Sequence, residues 1–164
     1  MRSLRADEVR TRAPQLLELQ HAAYAVEAAL IGDDRIPPLH ETAADLVSAG
    51  LGWIAMFDGD QVAGAVGYAV DREVADVDRL VVHPAYHRRG IGAALVTEVL
   101  ALAARTTVST GRENLPARAL YEALGFVHVS DVEPIPGLWV SRYSHGPTMV
   151  HDDRPAVGGA GSPR

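Results

Sequence analysis

Two short stretches hold the residue types best suited to chemistry. In Val81-Val82-His83-Pro84-Ala85-Tyr86-His87-Arg88-Arg89-Gly90-Ile91-Gly92-Ala93, two arginines stand directly before two glycines spaced by one residue. An apolar run precedes the stretch and a longer one follows, which predicts a strand, a loop and the start of a helix. Such a junction is an anion site. The first N–H groups of a helix lack internal partners, and the helix dipole puts about half a positive charge there. Gly90 and Gly92 let a ligand approach the backbone, and each charge-assisted hydrogen bond to a phosphate is worth roughly 1.5–3 kcal/mol. A dinucleotide GxGxxG would need glycine where Leu95 stands, and there is no Gly-Lys-Ser/Thr of a P-loop. The second stretch, Asn114 to Phe126, reads as a helix with Asn114 as N-cap, Pro116 in its first turn and Gly125 after its end. Tyr121 lies within it, and from spacing alone is an aromatic on the buried face.

The elements that must position these stretches follow from periodicity. Leu16, Leu19, Ala23, Val26 and Leu30 recur at helical spacing and predict a first helix that stops near Gly32. Ile36 to Glu41, with Pro37 and Pro38, reads as a rigid connection without helix, and a short helix follows from Thr42 to Ala49. Strands are predicted at Trp53–Phe57 and Gln61–Val70 around an Asp58-Gly59 turn, and at Asp76–His83 up to Pro84. From Ile91 to Ala104 only Thr97 and Glu98 are polar, so that helix must be buried over most of its surface. A strand over 106–110, a helix over 115–124 and strands near 126–132 and 138–143 complete the order. Mixed α/β order with hairpins at both ends predicts a mixed sheet covered by helices. Trp53, Trp139 and Tyr24 read as packing aromatics.

Composition narrows the class. The 164 residues are 48% hydrophobic and 22% charged, which makes one folded domain with a proper core. With no cysteine there is no disulfide framework and no thiolate chemistry. Fifteen Lys and Arg against 21 Asp and Glu give a net charge of −6, which argues against nucleic-acid partners and suits a cationic substrate. The longest clean apolar run, Val99 to Ala104, is far short of the roughly 18 residues that cross a bilayer. The charged start MRSLRADEVRTR has no signal-peptide core, so a cytoplasmic protein without membrane contact is expected. Residues 146–164, with four Gly and three Pro, are expected to form a flexible tail after a domain over 1–145. No metal is expected, and His83 reads as a loop residue.

Together the two stretches resemble the GNAT superfamily of acyl-CoA-dependent N-acetyltransferases. His87-Arg88-Arg89-Gly90-Ile91-Gly92 follows the family's Gln/Arg-x-x-Gly-x-Gly/Ala loop, with His87 where Gln or Arg is usual. A one-register alternative runs from Arg89 through Gly92 to Ala94. Asn114, Ala117, Leu120, Tyr121, Leu124, Gly125 and Phe126 match the family's Asn-x-x-Ala-x-x-Leu-Tyr-x-x-Leu-Gly-Phe pattern. The resemblance implies an α/β fold with a mixed, splayed sheet flanked by helices, and acetyl-CoA between the fourth and fifth strands as acyl donor. It places the pyrophosphate on the amides of Arg88, Arg89, Gly90, Ile91, Gly92 and Ala93, and the pantetheine arm along Leu80, Val81 and Val82. Asn114 and Ala117 would hold the arm, and Tyr121 would protonate the departing thiolate.

The implied reaction is direct attack of an amine from a small molecule or peptide on the thioester in a ternary complex, since no cysteine can carry the acetyl group. An N–H near Val81 or Val82 would hold the oxyanion. For the general base, strand alternation puts Asp76 and Asp78 on one face, with Glu73 just upstream. His40 and Glu41 occupy the segment that lines the acceptor pocket in the family. Homodimers are common in the family, so a homodimer is one expectation. An acyl-CoA-binding regulatory module with little turnover is the alternative to an enzyme.

Overall fold

A computed structural model describes Met1–Pro147. Seven strands form one sheet in the order β1-β2-β3-β4-β5-β7-β6: β1 (Arg2–Leu4), β2 (Gly52–Asp58), β3 (Gln61–Asp71), β4 (Val74–Val82), β5 (Arg105–Gly111), β6 (Val127–Ile135) and β7 (Leu138–His145). All neighbours are antiparallel except β4 and β5, whose parallel pairing runs only from Val74 with Arg105 to Val77 with Val108. Beyond those residues the two strands diverge, and the β5 side of β4 has no strand partner. Helices α1 (Ala6–Ile31) and α2 (Ala43–Ser48) cover one face; α3 (Ile91–Leu100) and α4 (Leu115–Ala123) cover the other. The mixed, splayed sheet expected from the sequence is the fold observed.

Local chemistry sets the ends of these elements. The Glu8 carboxylate accepts the Arg5 N–H at 3.0 Å and closes the first turn of α1. Thr42 and Asp45 cap α2 reciprocally, with Asp45 N–H on the Thr42 hydroxyl at 3.2 Å and Thr42 N–H on the Asp45 carboxylate at 2.8 Å. Each face has its own core: Leu16, Leu19, Leu46, Trp53 and Val81 pack on the α1 side, and Val66, Leu95, Val96, Val99 and Val108 on the α3 side.

Four expectations change. Strand β1 was not predicted, because three residues with one apolar side chain carry no periodic signal. Pro37–His40 is a single 3-10 turn: both prolines sit at its first positions, where a missing N–H costs nothing. Helix α3 ends at Leu100 rather than Ala104. Val26 and Leu30, assigned to the buried stripe of α1, are exposed instead, at 36% and 48%. At the expected start of the tail, Gly146 (φ +101°) packs so tightly that a Cβ would collide with the Ala104 carbonyl. The rest of that tail, 148–164, lies outside the described residues. No described helix is long and apolar enough to cross a membrane.

Candidate active site

Where β4 and β5 part, a cavity of about 590 Å³ runs from the start of α3 between β4, α1 and α4. Its polar end is the loop singled out in the sequence. Gly90, at φ +75°, caps α3, and the first cap bond is Ala94 N–H to Gly90 O at 3.0 Å. The amides of Ile91, Gly92 and Ala93 therefore have no acceptor within the helix. Arg88, also left-handed at φ +61°, turns the chain before Gly90. Among the described residues neither Arg88 nor Arg89 is in an ion pair, and the Arg89 guanidinium stacks 5.2 Å over the Tyr86 ring. Tyr86 is anchored in turn by its hydroxyl on Asp58 at 2.7 Å. The His87 ring lies 3.2 Å from the Val82 carbonyl, so it braces the loop on β4. His83 accepts the Ala85 N–H at 3.1 Å and is a loop residue.

A second cavity, of about 290 Å³, meets the first at Glu27, Leu80, Asn114 and Ala117. Asn114 is 8% exposed; its side-chain oxygen caps α4 on Ala117 N–H at 3.2 Å. Tyr121 forms the inner wall at 4% exposure. Burial, and then the nearby Glu27 charge, push its pKa well above the usual tyrosine value, so the hydroxyl keeps its proton. Glu27 holds its place by accepting the Gly111 N–H at 3.3 Å and the Thr110 hydroxyl at 3.4 Å.

The acidic residues of β4 are not arranged as alternation predicts. Gly67 pairs with Arg79 but Tyr68 pairs with Val77, so Asp78 is the extra residue of a β-bulge. The bulge reverses the faces: Val77 packs on the α3 side and Val81 on the α1 side, although both are odd-numbered. Asp78 lines the inner cavity. Asp76 accepts the Thr107 hydroxyl at 2.6 Å and lines a separate groove. The two carboxylates do not form one site.

The bulge also delivers Arg79 to the α1 side, where it is 6% exposed. It donates to Asp78 at 2.8 Å, to Gln20 at 3.0 Å and to Glu41. Burial works against this charge, but the two carboxylates outweigh it and keep the guanidinium firmly protonated. Gln20 also donates to Glu41 at 2.9 Å and to the Pro38 carbonyl at 2.7 Å. Glu41 is therefore engaged in holding the connection against β4, rather than facing the cavity. His40, with its Nε2 2.7 Å from the Asp34 carbonyl, is outside the cavity too; Pro37 and Pro38 line it instead. Trp53 is core at 1% exposure, and Trp139 lies under the Arg112 guanidinium at 4.8 Å.

Glu27 escaped the sequence reading, and Tyr24, read there as a packing aromatic, lines the cavity beside it. Burial, then the Glu27 charge, raise the Tyr24 pKa above its usual value. Tyr24, Glu27 and Ile31 fall on one helical face at spacings of three and four. An acidic residue between two large apolar ones was the available signal.

Comparison with known proteins bears on the family and the fold. The model of the acetyltransferase (GNAT) family matches residues 14–126. UPF0157 protein YqkA of Bacillus subtilis is 33% identical over 136 residues, which are 81% of this chain and 40% of YqkA, so the chain spans about two fifths of that relative's length. The fold resembles the ribosomal-protein-S18-alanine N-acetyltransferase of Escherichia coli, with a TM-score of 0.68, 18% identity, and 87% of this chain and 92% of that one covered. It also resembles PaiA N-acetyltransferase of Thermoplasma acidophilum in complex with coenzyme A, with a TM-score of 0.64, 14% identity, and 83% and 94% covered. The matched span begins within α1 and ends just after α4, more than half of the chain, and the chain accordingly belongs to the acetyltransferase (GNAT) family.

Proposed function

We propose that the chain transfers the acetyl group of acetyl-CoA to a primary amine by direct attack in a ternary complex, with residues 1–145 as the transferase domain. One observation carries the reading: an open helix N-terminus and a buried, protonated tyrosine lie on one connected cleft, at the point where β4 and β5 part. The amides of Ile91 to Ala93, with Arg88 beside them, suit a pyrophosphate. The unpaired side of β4 from Leu80 to Val82 suits the amide-bearing pantetheine arm, which would add to it as a strand does.

The chemical step follows. Glu27 takes a proton from the arriving ammonium, directly or through a water, and Asp78 adds negative charge nearby. The free amine attacks the thioester carbonyl, and a β4 amide near the bulge stabilises the oxyanion. The C–S bond breaks as Tyr121 gives its proton to the leaving thiolate; the second proton leaves the nitrogen as the amide forms and returns through water to the Tyr121 phenolate, and Glu27 releases its proton to solvent. Asp76, His40 and Glu41 have no part in the step.

Release of CoA thiol from acetyl-CoA across a panel of amines tests the reading. The chain has no thiol of its own to react with the reagent. Amine-dependent release should fall by roughly 10²- to 10⁴-fold in Tyr121→Phe, with acetyl-CoA affinity held within about threefold. Acetyl-CoA binding with no release to any amine would favour the regulatory-module alternative.

A further inference from the structure

The cavity that Tyr121 closes carries charge of one sign only. Glu27 and Asp78 line it, and among the described residues no Lys, Arg or His side chain does. Arg79, the buried cation nearby, is turned to Gln20, Glu41 and Asp78 and does not reach the lining. Away from the carboxylates the walls are apolar: Ile31, Ile36 and Pro37 on one side, Ile135, Leu138 and Val140 on the other. The two sides are tied together by Arg35, which donates to the Pro136 carbonyl at 3.1 Å and pairs with Asp33 at 2.6 Å. At about 290 Å³ the space is at the low end for a small-molecule site. The Tyr121 hydroxyl, which has no hydrogen-bond partner among the described residues, marks the end where the acyl group must arrive.

We infer that the acceptor is a compact primary amine with an apolar tail and no carboxylate, of the arylalkyl or branched alkyl kind. The inference rests on the transferase reading above and narrows it. With the ammonium at Glu27, a carboxylate on the adjacent carbon would meet two like charges and an apolar wall. Neutral donors such as Ser109 do not replace the missing cation, and an unpaired charge in such a place is strongly disfavoured. A polyamine would press its second ammonium onto the apolar end. A peptide would have to run its backbone past the Arg35 bridge, where the walls leave its amides without partners.

The deciding comparison is between phenethylamine and phenylalanine, which differ only by the carboxylate. Calorimetric titration of the protein in the presence of CoA should give phenethylamine the tighter binding by about 10²-fold, with spermidine and a phenylalanine-initiated tripeptide as weak as phenylalanine. Equal or tighter binding of any of these three, or no saturable binding of phenethylamine, overturns the inference. Ser109→Lys, at an exposed wall position, should shrink the gap below about tenfold by rescuing phenylalanine; an unchanged gap would remove charge as its cause. Thiol release measured in parallel separates the two readings. Phenethylamine that binds tightly without releasing thiol leaves the ligand class standing and overturns the transferase.

Discussion

At the scale of single residues, the proposed proton chemistry rests on two side chains that make different predictions with pH. Tyr121 is packed edge-on to Phe126 with ring centroids 5.5 Å apart and tilted against Tyr143 at 6.2 Å, which limits its motion and keeps it dry. Its folded pKa lies above the unfolded value of about 10, so its contribution to stability is complete below pH 10 and is lost as pH rises beyond that. Alkaline melts of Tyr121→Phe should therefore fall less steeply above pH 10 than those of the wild type. In the proposed step Glu27 has the opposite role, as a proton acceptor. In Glu27→Gln, turnover should drop by about 10²-fold near neutrality and climb tenfold per pH unit toward the amine pKa near 10, as free amine accumulates. A parallel drop at every pH would remove the base role. Asn114 as a helix cap and Tyr121 as a buried aromatic were legible from local spacing, and the role proposed for Tyr121 came from the family resemblance. Glu27 was not legible, because its role arises from Gly111 and Thr110, more than 80 residues away.

At the scale of elements, the α3 entry and the α1 entry make contrasting predictions. A Cβ at Gly90 meets no atom within 4 Å, so the cost of Gly90→Ala is purely conformational, about 1–2 kcal/mol for the left-handed backbone. Chemical melts should show that loss, together with weaker acetyl-CoA binding as the amides turn away. Arg88 pays the same conformational penalty in the wild type. Arg88→Gly should raise stability while lowering acetyl-CoA affinity, a split that a purely structural loop would not give. At the start of α1, the hydrogen bond from Arg2 and then the Arg5 N–H hold the Glu8 pKa down to about 2. Its contribution is present above pH 4.5 and disappears as pH falls through 2, so the acid limb of Glu8→Gln should be flatter in that window. Helix and strand order was readable because apolar spacing reports which face is buried. The β4 bulge was not, because it is a property of pairing with β3 and leaves no mark on the composition of β4.

For the whole molecule, Arg79 joins the strand that would carry the donor to the segments that wall the acceptor cavity. Through Gln20 and Glu41 it reaches α1 and the α1–α2 connection, and through Asp78 it fixes the bulge. Arg79→Met leaves Glu41 and Gln20 without their cation. The cost of breaking a buried pair is about 3–5 kcal/mol, and partial solvation of Asp78 and Glu41 puts this one near the lower end. A urea titration should show the midpoint falling with an unchanged slope, and the double variant Arg79→Met/Glu41→Met should recover part of the loss.

What the chain alone determined is local: where helices and strands run, the glycine turn that leaves amides free, the cap at Asn114 and the family those spacings resemble. These are readable because each is decided by neighbours within a few residues. The tertiary structure decided which carboxylates share a cavity. The bulge set Asp78 apart from Asp76 and turned Arg79 inward, the Arg79 network drew Glu41 away from the cavity, and the approach of α1 to β5 brought Glu27 to the cavity that Tyr121 lines. Each of those outcomes depends on pairing and packing between distant segments, which no local pattern encodes.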